Sequence, residues 1–287
     1  MLLSDRMLAV AGLVQPCSVI ADIGCDHGYV AMELIRRHVC GKVIAMDINQ
    51  GPLEQAKSNI RDYGMQEFIE TRLSDGTQAL EPGETDGIIC AGMGGKLTIH
   101  ILTEGRELIR HMQQLILQPQ SEIKEVRSFL REEGYQIDRE DMVCEDGKYY
   151  PMMHVSTNGF GKQEEQLANN LTEKSRQNIE NKTDKLDTIQ VPVISEISKE
   201  EAEKIRRVQD TYGPCLLQQG HPILKRYLLW QKENLENIRG NLMSQRQPTP
   251  RQQYRIAELD HELSDIVFCL YKYFSRNLRK MFLAVTA

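Results

Sequence analysis

The sequence predicts an α/β chain: a Rossmann-like, mostly parallel sheet that finishes in an antiparallel hairpin, followed by an α-helical coiled-coil region. Three observations carry this. Five short apolar runs in the first half alternate with helical stretches. An Asp-Gly pair then separates two strand-like runs. Beyond residue 222, apolar residues step by alternating four and three.

The first helix is expected to start near Ser4, a residue type whose hydroxyl caps helix N-termini. The five runs are 19–23, 42–46, 69–73, 87–91 and 114–118. Continuous apolar strands of this kind suit a parallel sheet covered on both faces. Tyr135–Val143 and Tyr149–Ser156 flank Asp146-Gly147, a strong hairpin signal. Such a hairpin at the end of a parallel sheet is the usual finish of a class I methyltransferase domain, an analogy of fold and not of function. Three regions follow: a domain over 1–158, a polar helical or flexible insertion over 159–200, and a helical coiled-coil hairpin over 201–287. In the last, Leu224, Leu228, Gln231, Leu235, Ile238 and Leu242 face Ile256, Leu259, Leu263, Ile266, Leu270 and Tyr273 across a Pro-containing breaker, 244–250.

Composition narrows the class. No window approaches the ~20 apolar residues of a membrane span, and the first residues carry charge early with no small-residue cleavage site, so a cytoplasmic chain is expected. Seven cysteines, none in a C-x-x-C pair, point to reduced thiols and to no metal site. The net charge of −6 hides an asymmetry: residues 1–158 balance at −9, residues 204–287 at +7. A basic C-terminal segment fits a nucleic-acid partner.

The central chemical signal is Val19–Tyr29, a strand, a glycine-containing turn and a helix beginning near Val30. Gly24 and Gly28 let the backbone approach a ligand, and the helix start offers free N–H groups. The pattern is not G-x-G-x-x-G, and no Tyr-x-x-x-Lys pair occurs, which argues against a nicotinamide oxidoreductase. S-adenosylmethionine has no phosphate and suits a looser, acidic turn, with Asp22 or Asp26 facing its cationic centres. Asp47, 23 residues after Gly24, is placed to accept from ribose hydroxyls, or is a plain loop acid. Asp75-Gly76 follows the third strand and reads either as a cap on the adenine amino group or as a turn. Ala91-Gly92-Met93-Gly94-Gly95 ends the fourth strand with bare backbone where methyl donor and acceptor meet in class I methyltransferases. An Asn/Asp-Pro-Pro-aromatic tetrapeptide is absent there.

With these blocks in order, the chain resembles the bacterial tRNA (adenine-22-N1)-methyltransferases. The resemblance rests on 21–29, 91–95, Leu115-Ile116-Leu117-Gln118-Pro119 and the hairpin from Glu145 to Tyr150. The Tyr212-Gly213-Pro214 turn and the coiled coil look like that family's C-terminal arm. Cys25 and Gly28 depart from the Ser and Ala expected in many members. The resemblance implies S-adenosylmethionine as donor and N1 of an adenine in the tRNA D-loop as acceptor.

The cofactor set is then Asp22, Gly24, Asp26, His27, Gly28, Asp47, Asp75, Gly76, Ala91 and Gly92. His27, Tyr29 and Met93 are the catalytic candidates. His27 and Tyr29 either stack on an extruded base or serve as a helix cap and as packing under the cofactor. Gly94, Gly95, Gln118 and Pro119 are expected against the acceptor, although Gln118-Pro119 also reads as a strand terminator. Cys25-Asp26-His27 cannot converge on a metal. Lys272, Arg276 and Arg279 fall on one helix face and are expected to grip phosphates, with a solvated coiled-coil face as the plain alternative. Two other functions remain open: methylation of another RNA or a protein, and a non-catalytic RNA-binding protein on the same scaffold. The heptads pair within one chain or between two, leaving monomer or homodimer undecided; neither a membrane nor DNA is expected as a partner.

Overall fold

The computed structural model describes residues 3–157, 198–244 and 249–275. In chain order, α1 (Asp5–Leu13), β1 (Cys17–Ile23), α2 (Tyr29–Arg36), β2 (Cys40–Asp47), α3 (Gln50–Asp62), β3 (Ile69–Leu73) and β4 (Gly87–Ala91) come first. Then follow α4 (Gly95–Glu104), α5 (Arg106–Ile109), β5 (Gln114–Gln118), α6 (Ile123–Glu132), β6 (Gln136–Glu145) and β7 (Lys148–Ser156). Ser4 caps α1 by accepting from the Met7 N–H. All five apolar runs are strands, and Asp146 and Gly147 turn the hairpin with positive φ.

The seven strands lie in the order β3-β2-β1-β4-β5-β7-β6. The first five are parallel, and β7 runs antiparallel to both β5 and β6. Alternate residues of each strand bury on opposite faces. Ile20, Val43, Ile89 and Ile116 pack under α1, α2 and α3. Ala21, Ile44, Ile88 and Leu115 pack under α4, α5 and α6. Each fully buried Ile or Leu contributes about 1.5–3 kcal/mol relative to exposure, so both faces must be covered, and the helices do this. The strand order reverses between β1 and β4. The connections that leave their C-terminal ends run to opposite faces of the sheet, and the crevice at such a switch point is where open α/β sheets take ligands.

The C-terminal region holds α7 (Lys199–Tyr212), α8 (Pro214–Gln219), α9 (Pro222–Met243) and α10 (Pro250–Phe274). The polar insertion read at 159–200 lies outside the described residues except for 198–200, where Ser198 caps α7 and the helix begins. Helices α9 and α10 run antiparallel, with Gly220 at the start of one against the Tyr273 carbonyl at the end of the other. Thr249 and Gln252 close a capping box at the start of α10. The heptad residues Leu224, Leu228, Leu235, Leu259 and Ile266 are buried in the seam. Ile238 departs from the expected pattern: it is 45% exposed, although Leu242, one turn further along, still packs against the seam.

The arm is welded to the sheet domain. Met142 of β6 joins the arm's apolar core. Arg127 of α6 and Glu140 of β6 form a buried ion pair at 2.9 Å. Arg127 also donates to the carbonyls of Asp210 and Thr211, and Glu140 accepts from the Cys215 and Leu216 N–H groups at the start of α8. Gly213 sits between them at φ +96, where a Cβ would stand 2.6 Å from the Glu140 oxygens.

Candidate functional site

A cavity of about 240 Å³ opens at the switch point. Its walls include Asp22 from β1, Gly24, Cys25, Asp26 and His27 from the following turn, and Tyr29 and Val30 from α2. Ala91 and Gly92 enter from β4, and Gln118 from β5. Thus most residues read from the 19–29 and 91–92 blocks converge on one space.

Local chemistry fixes this turn. The N–H groups of Gly24 and Cys25 both donate to the Met46 carbonyl, folding the chain back over β2. Gly24, Asp26 and Gly28 all take positive φ, so alternate residues are left-handed. Asp26 is the costly one, since only short polar side chains tolerate that region readily. Asp47 buttresses it by accepting from the Asp26 N–H at 3.4 Å and the Asn49 N–H at 2.8 Å.

Asp22 is the electrostatic centre. It is 4% exposed, and its Oδ2 has no hydrogen-bond partner among the described residues. Burial, then the charge of Asp47, push its carboxyl up to about 7, against a smaller downward pull from the Ala31 N–H. A buried, half-satisfied carboxyl facing a cavity is poised for a cation or a donor. Gln118, 1% exposed, presents a second orphaned acceptor, Oε1. His27 and Tyr29 stand at the cavity wall with ring centroids 5.7 Å apart and planes tilted by 40°. His27 Nε2 lies 3.6 Å from Asp26 Oδ1, and both side chains are largely exposed.

Several residues fall elsewhere. Gly28 backs onto α3, where a Cβ would meet the Ala56 Cβ at 3.3 Å; it serves helix packing. Met93 packs beneath Gly24 and does not line the cavity. Gly94 and Gly95 are not at the cavity either. They start α4 against the β5–α6 loop, where a Cβ on Gly95 would stand 2.5 Å from the Ser121 carbonyl. Pro119 is absent from the lining, while its neighbour Gln120 is present. Asp75 and Gly76 lie outside this cavity and line a separate cleft with Thr77, His100, Ile101 and Glu104. Their segment is a turn held by Ser74, whose hydroxyl donates to the Gly76 carbonyl and accepts from the Ala79 N–H. Lys272 is engaged with Glu201 at 3.2 Å and stacked over Phe268. Arg276 and Arg279 lie outside the described residues.

Sequence reasoning missed Arg6, Met7 and Val10, which bring α1 across the cavity. The i, i+4 pairing of Arg6 with Val10 marked a face, but nothing local said what that face covers. Among the described residues no group of three His, Cys, Asp or Glu side chains is placed to hold a metal, and no helix is long and apolar enough to cross a membrane.

A parallel sheet closed by an antiparallel hairpin, with an acidic glycine turn at its switch point, defines a Rossmann-like methyltransferase. Comparison with known proteins agrees. The family model described as a methyltransferase domain matches residues 3–153, and the chain belongs to that family. The tRNA (adenine(22)-N(1))-methyltransferase of Bacillus subtilis is 36% identical over 151 residues, which cover 53% of this chain and 63% of that relative. A Mycoplasma pneumoniae relative, provisionally named a tRNA methyltransferase, is 36% identical over 155 residues, covering 52% of this chain and 70% of its own length. Beyond the sheet domain, the crystal structure of the B. subtilis m1A22 tRNA methyltransferase matches 94% of this chain and 99% of its own, with a TM-score of 0.67 at 24% identity. The helical arm is therefore part of the shared fold.

Proposed function

We propose that this chain transfers a methyl group from S-adenosylmethionine to N1 of an adenine in tRNA, at position 22 as the name of the B. subtilis relative specifies. The observation that carries the reading is Asp22, a buried carboxylate with an orphaned oxygen, set beside left-handed Gly24 at the β1/β4 switch point.

The residues present fit the cofactor. Its cationic centres match Asp22 and Asp26, and its lack of a phosphate matches a turn without the dinucleotide spacing. Asp47, at the end of β2, stands behind the cavity lining with its carboxylate oriented by two backbone N–H groups, and is the group assigned to the ribose hydroxyls. Gly92 leaves bare backbone at the β4 end. When bound, S-adenosylmethionine supplies an electrophilic methyl on a sulfonium. The chain then has to hold and align the acceptor. Adenine N1 carries a lone pair in the neutral base, so no general base is needed, and proximity with orientation supplies most of the rate. Gln118 Oε1 is free to accept from the adenine amino group, and the tilted pair His27 and Tyr29 offers a stacking wall for the base.

The arm supplies the grip on RNA. Among the described residues Arg206, Lys225 and Arg226 form no ion pair, in contrast to Arg207, which is bound bidentately to Asp265. Unpaired cations give phosphate affinity without reading sequence. The domain over 1–158 then binds donor and base, and the helices beyond it bind the tRNA body.

Incubation of unmodified tRNA with S-adenosylmethionine, followed by nucleoside analysis, tests this. The expected product is 1-methyladenosine. Methylation of rRNA or protein instead, or of no substrate by a chain that binds the cofactor, rejects the proposed acceptor.

A further inference from the structure

We infer that Trp230, backed by Tyr149 and Tyr227, is a stacking platform for an unpaired base of the tRNA, outside the cavity assigned to the target adenine. This rests on the tRNA reading of the substrate.

The three rings meet where the arm docks on the hairpin. Tyr149 belongs to β7, while Tyr227 and Trp230 are three residues apart on α9 and so are neighbours on its surface. The tyrosine centroids are 5.0 Å apart, and the Trp230 ring lies 6.0 Å from each. Both tyrosines are half-buried against the arm's apolar core. Trp230 differs. It is 51% exposed, and its indole N–H has no acceptor among the described residues. A large ring supported from behind and open in front is the kind of side chain that anchors an interface.

The charge around it says what the partner is. Arg226 lies one turn before Trp230 on the same helix face, with its Cζ 6.0 Å from the Tyr149 centroid. Lys225 and, at the hairpin turn, Lys148 are also exposed, and none of these three cations forms an ion pair among the described residues. Glu233, one turn after Trp230, is the acid on that face, and Lys232 is paired with Glu236 at 2.5 Å. An exposed aromatic face beside unpaired cations matches a nucleotide, which joins a flat π-surface to an anionic phosphate in one unit. The guanidinium of Arg226 can serve either part.

The platform is also placed to serve the cavity. Successive residues of a strand point to opposite faces. Tyr150 therefore turns away from the arm, and its ring lies 5.1 Å from the Cζ of Arg6, which lines the cavity. Tyr149 turns toward Trp230. One hairpin thus carries the cavity wall on one side and the platform on the other. Drawing an adenine out of its stack costs a few kcal/mol, and a second base stacked on Trp230 offsets part of that and holds the strand open.

Trp230 is the single tryptophan of the chain, so its fluorescence reports this platform alone. Titrating unmodified tRNA into the full wild-type chain is expected to quench it. Heparin, a polyanion without bases, is expected to cause no such quenching. Trp230→Ala should weaken tRNA binding about 5- to 150-fold, the range of one base stacked on an aromatic ring. Trp230→Phe should recover part of that loss. Neither variant should change the slope of log affinity against log salt, because stacking releases no counterions, nor the affinity for S-adenosylmethionine measured without RNA. Binding of tRNA without quenching, equal quenching by heparin, or wild-type tRNA affinity in Trp230→Ala overturns the platform and leaves the tRNA reading standing. A loss that comes with a shallower salt slope assigns Trp230 to the phosphate grip and also overturns it. A wild-type chain that binds no tRNA overturns the tRNA reading, and the platform with it. A thermal melt of each variant separates loss of binding from loss of fold.

Discussion

At the residue scale, Asp22 has the most direct consequences. Its carboxyl is held up to about 7 by burial and by Asp47, in surroundings that also include Asp26 and the thiols of Cys25 and Cys90, whose own ionisation burial suppresses. The sign follows from linkage. In the free protein its contribution to stability is fully present below the ordinary value of 3.8 and is lost as pH rises through about 7. A bound cation favours the ionised form, so below about pH 7 cofactor binding must release a proton. Affinity should rise by up to about tenfold per pH unit toward neutrality and level off above it. Asp22→Asn should flatten this profile in a calorimetric titration between pH 5.5 and 8.5, and an unchanged slope would assign the proton elsewhere. The residues of this turn were legible because strand, glycine turn and helix are local signals. Arg6 and Gln120 were not, since their place at the cavity is set by the packing of α1 and by the path after β5. The glycines at 94 and 95 lie outside the cavity lining, and a Cβ on Gly95 would meet the Ser121 carbonyl, a close approach set by the packing of the β5–α6 loop that sequence does not show.

At the element scale, the joint between sheet and arm is built around a buried ion pair and a glycine. Replacing Arg127 with Met leaves Glu140 buried and unpaired beside the start of α8. Unfolding in urea should show a loss of about 3–5 kcal/mol. Glu140→Gln should cost less, because an amide oxygen can still accept from the Cys215 and Leu216 N–H groups. Gly213→Ala forces a Cβ against the Glu140 carboxylate at φ +96, and a loss of about 2–4 kcal/mol is expected in the same experiment. Equal stability of Gly213→Ala and wild type would show that the joint relaxes. The strands, the hairpin and the two long helices followed from periodicity and turn chemistry. The helices α7 and α8, which dock the arm, did not, because their apolar residues are meaningful only against β6 and α6. The exposed Ile238 shows the limit of the heptad rule, which gives a face and not the burial of each residue on it.

At the scale of the whole molecule, an acidic domain, proposed to bind a cationic cofactor, is joined to a basic arm. Lys225→Ala with Arg226→Ala should weaken tRNA binding and reduce the slope of log affinity against log salt by about 0.7–0.9 for each phosphate that is no longer neutralised. An unchanged slope would remove these cations from the RNA interface. Arg207→Ala should instead lower the melting temperature, because its partner Asp265 is buried in the arm. The charge asymmetry was visible in sequence, but which cations are free to meet RNA was not, since internal pairing decides that. The most direct measurement is methyl incorporation into two tRNA transcripts that differ only at position 22, one with adenine and one with guanine. Incorporation as 1-methyladenosine into the adenine transcript, with loss in the guanine transcript, is the predicted result. Equal incorporation into both, or none into either by a chain that binds the cofactor, would contradict the assignment of this cavity to adenine 22.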